Sequence, residues 1–151
     1  MSKGFTLIEI IIAIAIIAAL AGISAVSLGT TNRQEALHME VGKVLSLLEQ
    51  ARAQTVSGKG GNAYGVHFEE DRAVLFSGSV YSASNSANIP QVLHKAVSIS
   101  AITLVGGGSD VVFKKLTGET AQNGTVRLSV RNNANASSTI TIAPTGIAYS
   151  N

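Results

Sequence analysis

A long apolar run near the amino terminus constrains this chain more than any other feature. Residues 5–26 are apolar or small except for Thr6, Glu9 and Ser24. At about 1.5 Å of rise per residue, a helix of this length spans the ~30 Å hydrocarbon core of a bilayer. Apolar residues surround the helix on all sides, which favours burial in lipid or among other helices. The run therefore predicts a transmembrane helix over residues 5–30.

Glu9 is the residue that an ordinary membrane anchor leaves unexplained. A secretory signal fits poorly, because its apolar core is only ~7 to 15 residues long. A single-pass anchor fits the length, and Lys3 on the short side would keep the amino terminus in the cytoplasm. An ionised acid well inside a bilayer costs about 2.5 to 3.5 kcal/mol on insertion scales, so a partner is expected for it.

Cleavage of the chain after Gly4 would supply that partner. The cut makes Phe5 the new terminus and creates an α-ammonium group four residues from Glu9. Within one helix the ammonium group can scarcely reach the carboxylate of its own chain. A neighbouring copy displaced along the helix axis could present its ammonium group instead, so the charge is expected to be satisfied by assembly.

The segment Lys3-Gly4-Phe5-Thr6-Leu7-Ile8-Glu9 resembles the prepilin signal of type IV pilins and type II secretion pseudopilins. The resemblance implies that a membrane prepilin peptidase cuts between Gly4 and Phe5 and methylates Phe5. It also implies that Glu9 neutralises the amino terminus of an adjacent subunit while apolar helices pack as a filament core. Many pilins have a proline partway along this helix, but here none precedes Pro90. Whether the helix melts near residues 22–29 on assembly is left open.

From residue 32 the apolar residues follow a single helical face. They recur at three- and four-residue steps, at Leu37, Val41, Val44, Leu48 and Ala51, and charged residues are predicted to point elsewhere. Glu40 with Lys43, and Glu49 with Arg52, have the i,i+3 spacing of ion pairs. The glycine-rich residues 57–62 end the pattern. An amphipathic helix over about 32–57 is therefore predicted to pack on a folded head.

The period changes to two after Gly61, which predicts strands. Residues 64–68 and 73–76 flank a polar turn and form a hairpin pattern, and the small polar residues 77–90 predict a surface loop. Further strands are predicted over Val97–Val105, Asp110–Lys115, Gly124–Arg131 and Ser138–Ala143, with a last short one within residues 145–149. The predicted fold class is α+β, with a long amino-terminal helix packed on an antiparallel β-sheet head that is β-rich over residues 62–151.

Four segments of the head also resemble a narrower group. They are "LSLLEQARAQTVSGKG", "GVHF", "VVFKKLTGETAQNGTVRLSV" and "ITIAPTG", in the order and spacing of the minor pseudopilin H and fimbrial protein T (GspH/FimT) family. With the prepilin signal, the resemblance covers nearly the whole chain. Some fimbrial T proteins bind DNA through arginines just after the last glycine. Here Ile147, Ala148 and Tyr149 follow Gly146, which argues against DNA binding by that route.

The sequence contains no recognisable catalytic or metal-binding pattern. Cysteine is absent, and the three histidines, at positions 38, 67 and 94, are too far apart to suggest a ligand set. The acidic residues 69–71 and the glycines 106–108 are typical of solvated turns. No Gly-x-Ser-x-Gly elbow occurs. We therefore expect no enzymatic activity, no cofactor and no metal.

Basic residues give the only hint of a ligand-binding surface. The formal net charge is only +2, because acidic and basic residues are nearly balanced. This charge alone does not indicate a surface that binds nucleic acid. Lys114, Lys115, Arg127 and Arg131 fall on strands predicted to be neighbours, and Arg127 and Arg131 are predicted to share a face. The plain interpretation is a solvated face, and the alternative is a weak DNA-binding patch without aromatic residues to stack on bases.

Together these features predict a leader peptide at residues 1–4, a membrane and filament-core helix at 5–30, and a soluble head at 31–151. The expected function is that of a structural subunit of a type IV pilus or a type II secretion-like pseudopilus. The expected location is the bacterial inner membrane, with the head periplasmic or extracellular. Expected partners are prepilin peptidase, copies of itself and other (pseudo)pilins, the inner-membrane assembly platform and membrane lipid. The alternative is a minor pilin of a DNA-uptake pilus whose head binds DNA, and sequence separates neither pilus from secretion systems nor major from minor subunits.

Overall fold

A computed structural model describes residues 4–151, with side chains described at all of these positions except 21–31. The chain divides into two compact units, Met1–Arg33 and Gln34–Asn151. One helix, α1, comprises Leu7–Val56 and so includes residues of both units. The predicted leader residues 1–3, and the side chains in the middle of the predicted transmembrane segment, lie outside the described residues.

Within the part of the chain that the structure describes, no helix is both long enough and apolar enough to cross a membrane.

The start of α1 follows from a capping pattern in the sequence. Thr6 precedes the helix, and its Oγ1 accepts a hydrogen bond of 3.3 Å from the backbone N–H of Glu9. The carbonyl of Thr6 accepts a second bond of 3.3 Å, from the N–H of Ile10. Threonine followed three residues later by glutamate is a common helix start, and an acid in the first turn is favoured by the helix dipole. The helix therefore begins at Leu7, two residues after Phe5.

Eight strands follow a short 3-10 turn at Lys59–Gly61. They are β1 (Tyr64–Phe68), β2 (Arg72–Ser77), β3 (Ile89–Val92), β4 (Val97–Leu104), β5 (Asp110–Val112), β6 (Gly124–Val130), β7 (Asn133–Ile142) and β8 (Ala148–Ser150). They form two four-stranded sheets, which we call the first sheet, in the order β3-β2-β1-β5, and the second sheet, in the order β4-β6-β7-β8. Every pairing is antiparallel. The α+β class with a helix packed on antiparallel strands is confirmed, with two sheets in the head.

Several strand predictions were wrong at their boundaries, and β5 ends at Val112, three residues before its predicted end at Lys115. Strand β3 begins inside the predicted loop 77–90 and includes Pro90, which is tolerated because β3 is an edge strand of the first sheet. Strand β7 begins at Asn133, five residues before the predicted start at Ser138. The early start is possible because Asn132 adopts a left-handed φ of 64°, which closes a tight turn after β6.

The predicted apolar stripe of α1 forms one wall of the hydrophobic core. Its five residues are at most 5% exposed, and Leu47 extends the buried face. They share a core cluster with residues of both sheets, among them Val66, Phe68, Val111, Val126, Leu128, Ile140 and Ile142. Burying a leucine or valine side chain stabilises a fold by about 1.5 to 3 kcal/mol, so this face holds the helix on the head.

Two charged residues of α1 depart from prediction. Glu40 was expected to face away from the core, but it is 2% exposed. Its Oε1 accepts a hydrogen bond of 2.8 Å from Lys43 Nζ, as its spacing predicts. The predicted Glu49–Arg52 ion pair is not among the described contacts. Arg52 Nε donates instead to the carbonyl of Gly118 at 3.2 Å, because the chain after β5 passes close to that end of the helix.

Thr55 connects the last turn of α1 to the first sheet. Its side chain is fully buried. Its Oγ1 donates to the carbonyl of Ala51 at 2.8 Å and accepts from the backbone N–H of Tyr64 at 2.9 Å. A buried hydroxyl with both roles satisfied fixes the groups that it bridges. The helix end and the start of β1 are therefore joined directly as well as through the intervening turn.

Candidate functional site

The bond between Gly4 and Phe5 lies in an exposed, non-helical segment. Gly4, Phe5 and Thr6 precede α1 and are all exposed, and the exposed fraction of Phe5 is 80%. A Cβ built on Gly4 would meet no atom within 4 Å. The fold of the chain therefore places no demand on glycine at this position, and the bond is open to a peptidase.

Large apolar side chains cover the exposed surface of the helix beyond this bond. Those with at least 46% of their surface exposed between Phe5 and Leu20 are Phe5, Leu7, Ile8, Ile10, Ile11, Ile12, Ile14, Ile16, Ile17 and Leu20. Soluble proteins rarely expose a contiguous apolar surface of this kind unless it contacts another protein or a membrane. An apolar surface of this extent needs a covering.

Glu9 is the one charged side chain on that apolar segment between residues 5 and 20. It is exposed, and its carboxylate makes no hydrogen bond or ion pair with any residue that the structure describes. Covering the surrounding isoleucines would take this charge out of water, which is costly unless an opposite charge accompanies it. The residues that prediction grouped here, Gly4, Phe5 and Glu9, thus lie together around the first turn of α1.

The basic residues predicted as a patch do not lie on neighbouring strands. Lys114 and Lys115 follow β5, which pairs with β1 at the edge of the first sheet. Arg127 is on β6 and Arg131 is just after it, in the second sheet. The prediction that the strands are neighbours was wrong, because the chain crosses from one sheet to the other between Val112 and Gly124.

Three of these four basic side chains have partners within the head. Lys114 Nζ is 3.9 Å from Glu119 Oε2, and Lys115 Nζ bonds to the carbonyl of Gly61. Arg131 donates to Glu70 at 2.8 Å. The two ion pairs, to Glu119 and Glu70, contribute little stability, but they lower the net positive charge that a polyanion would meet.

Arg127 differs from the other three basic residues. It is exposed on β6, between Ala101 of β4 and Thr139 of β7 in the register of the second sheet. The structure shows no ion pair to its guanidinium within the described residues. Its charge is therefore available to a ligand.

The histidine that sequence left unassigned has a structural role. The register of β1 and β5 places His67 opposite Asp110, and His67 Nδ1 lies 2.5 Å from Asp110 Oδ1. The ring stacks on Tyr81 with 3.9 Å between centroids, which holds the loop after β2 against the first sheet. In the described part of the chain, no group of histidine and acidic side chains has the geometry of a metal site.

The acidic turn between β1 and β2 is a charge network, as its composition indicates. Glu69 Oε2 accepts a hydrogen bond of 2.7 Å from Arg72 Nε, and Asp71 Oδ1 is 3.6 Å from the same nitrogen. The hydrogen bond and charge of Glu69 raise the pKa of Arg72 above its ordinary value, so its guanidinium stays ionised. The turn has no features of an acid/base pair or a Ca²⁺ loop.

Two surface features of the head were missed by sequence reasoning. Leu116 is 86% exposed and adopts a left-handed φ of 70°. A groove of about 610 Å³ opens beside Phe68, Glu69, Glu70 and residues 98–102. Neither produces a periodic pattern, since one depends on a turn conformation and the other on strands that are distant in sequence.

Two known protein families match this chain, one at its amino-terminal segment and one over its head. Residues 1–25 match the prokaryotic N-terminal methylation motif, and residues 40–146 match the type II transport protein GspH family. No curated protein sequence matches the chain.

A solved structure has a similar fold. The type IV minor pilin FimU of Pseudomonas aeruginosa (strain PAO1) superimposes with a TM-score of 0.55 at 15% sequence identity. The alignment covers 78% of this chain and 91% of the FimU chain, and at this identity it shows a shared fold. Pilins and pseudopilins are structural proteins and not enzymes. Because the GspH match spans more than half of the sequence, this chain belongs to the type II transport protein GspH family and is a pilin-like subunit.

Proposed function

We propose that this protein is a minor pilin or pseudopilin that is cut after Gly4 by prepilin peptidase and assembled through α1 into a filament. The filament is a type IV pilus or a type II secretion-like pseudopilus. The observation that supports this proposal most strongly is the carboxylate of Glu9, exposed and without a partner among the described residues, on a surface of exposed isoleucines. It lies four residues from the bond that cleavage would break.

Cleavage and assembly are linked in this proposal by one charge pair. Cutting the Gly4–Phe5 bond releases an α-ammonium group on Phe5, and N-methylation of that amine leaves it basic. When apolar helices of neighbouring copies pack together, both ions leave water, and only pairing repays the desolvation cost. Glu9 of one copy and the Phe5 terminus of the next then supply the opposite charges.

Membrane lipid is the proposed covering of the apolar segment before assembly. Residues 5–30 would lie in the bacterial inner membrane, with the amino terminus in the cytoplasm and the head periplasmic or extracellular. The assembly platform of the inner membrane would then transfer the helix from lipid to filament. The apolar surface is covered in both states, so the transfer needs no exposure of the isoleucines to water.

The first prediction concerns processing. We expect the Gly4→Ala variant to accumulate as the uncut precursor, with cleavage slowed about tenfold or more, because the resemblance to prepilin signals implies a peptidase site that fits glycine before the cut bond. A Cβ at residue 4 would meet no atom within 4 Å, so the fold itself is unaffected. Intact mass of the membrane-extracted protein measures the fraction that has lost residues 1–4 and gained a methyl group.

The matched control for this experiment is Gly42→Ala. Gly42 is exposed on α1, and a Cβ there also meets no atom within 4 Å. We expect this variant to be processed like the wild type. Normal cleavage of the Gly4→Ala chain would contradict the proposed maturation.

A second candidate function, DNA capture by the head, is favoured by one observation. Arg127 is exposed on the second sheet and has no ion-pair partner among the described residues. Arg131 lies just after the same strand, although its guanidinium already forms an ion pair with Glu70. If DNA binds at this place, the two arginines would contact phosphates, and Lys114 and Lys115 of the first sheet would contribute less.

DNA binding is tested with the full chain in detergent micelles. Under this second hypothesis, a mobility shift of duplex DNA weakens as salt rises, and the double variant Arg127→Ala, Arg131→Ala weakens it about tenfold or more. The control is Lys59→Ala with Lys95→Ala, which removes two exposed charges elsewhere on the head. An equal loss in both double variants would identify general charge attraction, and no shift at all would exclude this function.

A further inference from the structure

Strand β8 has one free edge. It is the last strand of the second sheet, and β7 is its neighbour on the other side. Thr139 and Asn151 exchange two backbone hydrogen bonds, at 3.4 and 3.1 Å. Bonded and non-bonded pairs alternate in an antiparallel ladder, so the N–H and C=O groups of Ala148 and Ser150 point away from β7. None of these four groups has a hydrogen-bond partner in the described part of the chain.

A groove runs between this free edge and α1. Ser150 and His38 line a hollow of about 520 Å³. Ala148 and Arg52 line a second hollow of about 330 Å³. Leu45 lines both hollows, so they adjoin. The backbone groups that β8 leaves unpaired therefore border open space along the whole strand.

The free edge matches the backbone of an extended polypeptide. The outward groups of Ala148 and Ser150 repeat every two residues, roughly 7 Å apart, which is the repeat of another strand. An unpaired edge of this kind is a template for strand addition, in which backbone hydrogen bonds supply affinity. A helix cannot pair with it, because the backbone groups of a helix are already bonded to each other.

The side chains along the groove favour an uncharged segment. Glu49 and Arg52 line the same hollow with one charge of each sign, so neither sign of ligand charge is preferred there. Leu45 is half-buried and Ile147 is 56% exposed, and both line that hollow. A strand with small or β-branched side chains would cover these two residues and leave no charge of its own unpaired.

A second copy of this chain does not offer such a segment among the residues that the structure describes. Its longest connections between strands are residues 78–88 and 113–123. Both are closed by their own hydrogen bonds, from Asn88 N–H to the Asn85 carbonyl and from Lys114 N–H to the Glu119 carbonyl. The β8 edge of a copy lies beside its own α1. The occupant is therefore expected to come from a different protein.

We propose that an extended, uncharged segment of a different protein docks in this groove and adds a strand to the second sheet beside β8. Its backbone bonds to the N–H and C=O groups of Ala148 and Ser150, and its side chains cover Leu45 and Ile147. The contact goes beyond the proposed filament function. It does not depend on cleavage, because the groove lies within the unit Gln34–Asn151.

A peptide probe tests the groove with the full chain in detergent micelles. The probe is the hexapeptide SSTITI with both ends capped, a copy of residues 137–142, which include the residues of β7 that pair with β8. We expect a fluorescent form of it to bind with a Kd below about 1 mM, measured by anisotropy. The amide hydrogens of Ala148 and Ser150 should then exchange with solvent about tenfold more slowly. Absence of binding would reject the groove as a docking site.

A proline substitution separates docking from folding. Ser150→Pro removes an outward N–H that β7 does not use, and proline is tolerated on edge strands, so the midpoint of thermal unfolding should stay unchanged. Binding of the probe should weaken about tenfold or more, because one donor is lost and the proline ring occupies its place. The matched control, Ser150→Ala, keeps the N–H and should bind the probe like the wild type. Equal affinity of the proline variant and the wild type would contradict strand addition.

Methylated probes give the same information without any change to the protein. One probe has N-methyl groups on its odd residues and the other on its even residues. Alternate N–H groups of a strand face opposite sides, so one probe should keep its affinity while the other loses about tenfold or more. Equal affinities of the two methylated probes would show that the peptide does not bind as a strand.

Photocrosslinking in the producing cells tests the source of the occupant. Benzoylphenylalanine replaces His38, which is exposed and lines the first hollow of the groove. We expect a cross-link to one segment of another protein, identified by mass spectrometry, that is retained with Ser150→Ala and lost with Ser150→Pro. A cross-link to a second copy of this chain, a cross-link that persists with Ser150→Pro, or no cross-link at all would each overturn the proposal.

Discussion

The Gly146→Ala variant is expected to lose about 3 to 5 kcal/mol of the free energy of unfolding of its head. Gly146 has a left-handed φ of 79°, which alanine adopts only with strain. A Cβ there would overlap the carbonyl oxygen of Gly118 and lie 3.1 Å from Arg52 Nε. Because the obstacle is backbone, relief requires the turn after β5 to move away, which breaks the hydrogen bond from Arg52 to Gly118.

Near-ultraviolet circular dichroism measures this effect in the full chain in detergent. The chain has three tyrosines and no tryptophan, and Tyr64, Tyr81 and Tyr149 all lie in the head. We expect the midpoint of thermal unfolding to fall by about 10 °C or more. The control is Gly106→Ala, which has a similar φ of 85° but no atom within 4 Å of its Cβ, and should cost only about 1 to 2 kcal/mol. Equal losses in the two variants would show that the backbone contact with Gly118 is unimportant.

Replacing Glu9 by alanine is expected to leave processing intact and to reduce filament yield about 100-fold. The loss arises because the α-ammonium group of Phe5 is then buried without a counter-charge, which costs about 3 to 5 kcal/mol when one member of a buried pair is removed. The capping hydrogen bond is retained, since it uses the backbone N–H of residue 9 and the hydroxyl of Thr6. Intact mass measures processing, and the sheared, sedimented fraction measures assembly.

Glu35→Ala provides the matched control for the Glu9 variant. Glu35 is an exposed acid on the same helix, in the head unit. We expect its removal to change neither processing nor filament yield. If the Glu9→Ala chain forms filaments at normal yield, the proposed pairing of Glu9 with the Phe5 terminus of a neighbouring copy is refuted. This holds whether or not the chain is processed normally.

Local patterns predicted the amphipathic second half of α1 and the approximate positions of most strands. The stripe from Leu37 to Ala51 is buried as its spacing requires, because one face of α1 meets the core. Glu40 departs from the pattern, since it lies at the border of that face and its burial depends on what packs beside it. The separation of strands into two sheets was not predictable, because alternation indicates a strand without naming its neighbours.

The candidate site could also be predicted only where its residues are close in sequence. Gly4, Phe5 and Glu9 are contiguous in sequence, so a motif was sufficient to group them. Lys115 and Arg127 required strand pairing, and they belong to different sheets. The exposure of Leu116 results from a left-handed backbone angle. The sequence did not predict this angle, because leucine rarely adopts it.

We expect Thr55 to affect how the head responds to mechanical force. A pull along the last turns of α1 would otherwise pass through the glycine-containing turn at residues 57–62, which can extend before it transmits tension. The bond from Tyr64 N–H to Thr55 Oγ1 bypasses that turn and delivers the load to β1. Strand β1 lies between β2 and β5, so the force spreads as shear over two hydrogen-bonded ladders. Under the proposed function, a subunit held by its helix would then bear tension on its head without first extending the turn at residues 57–62.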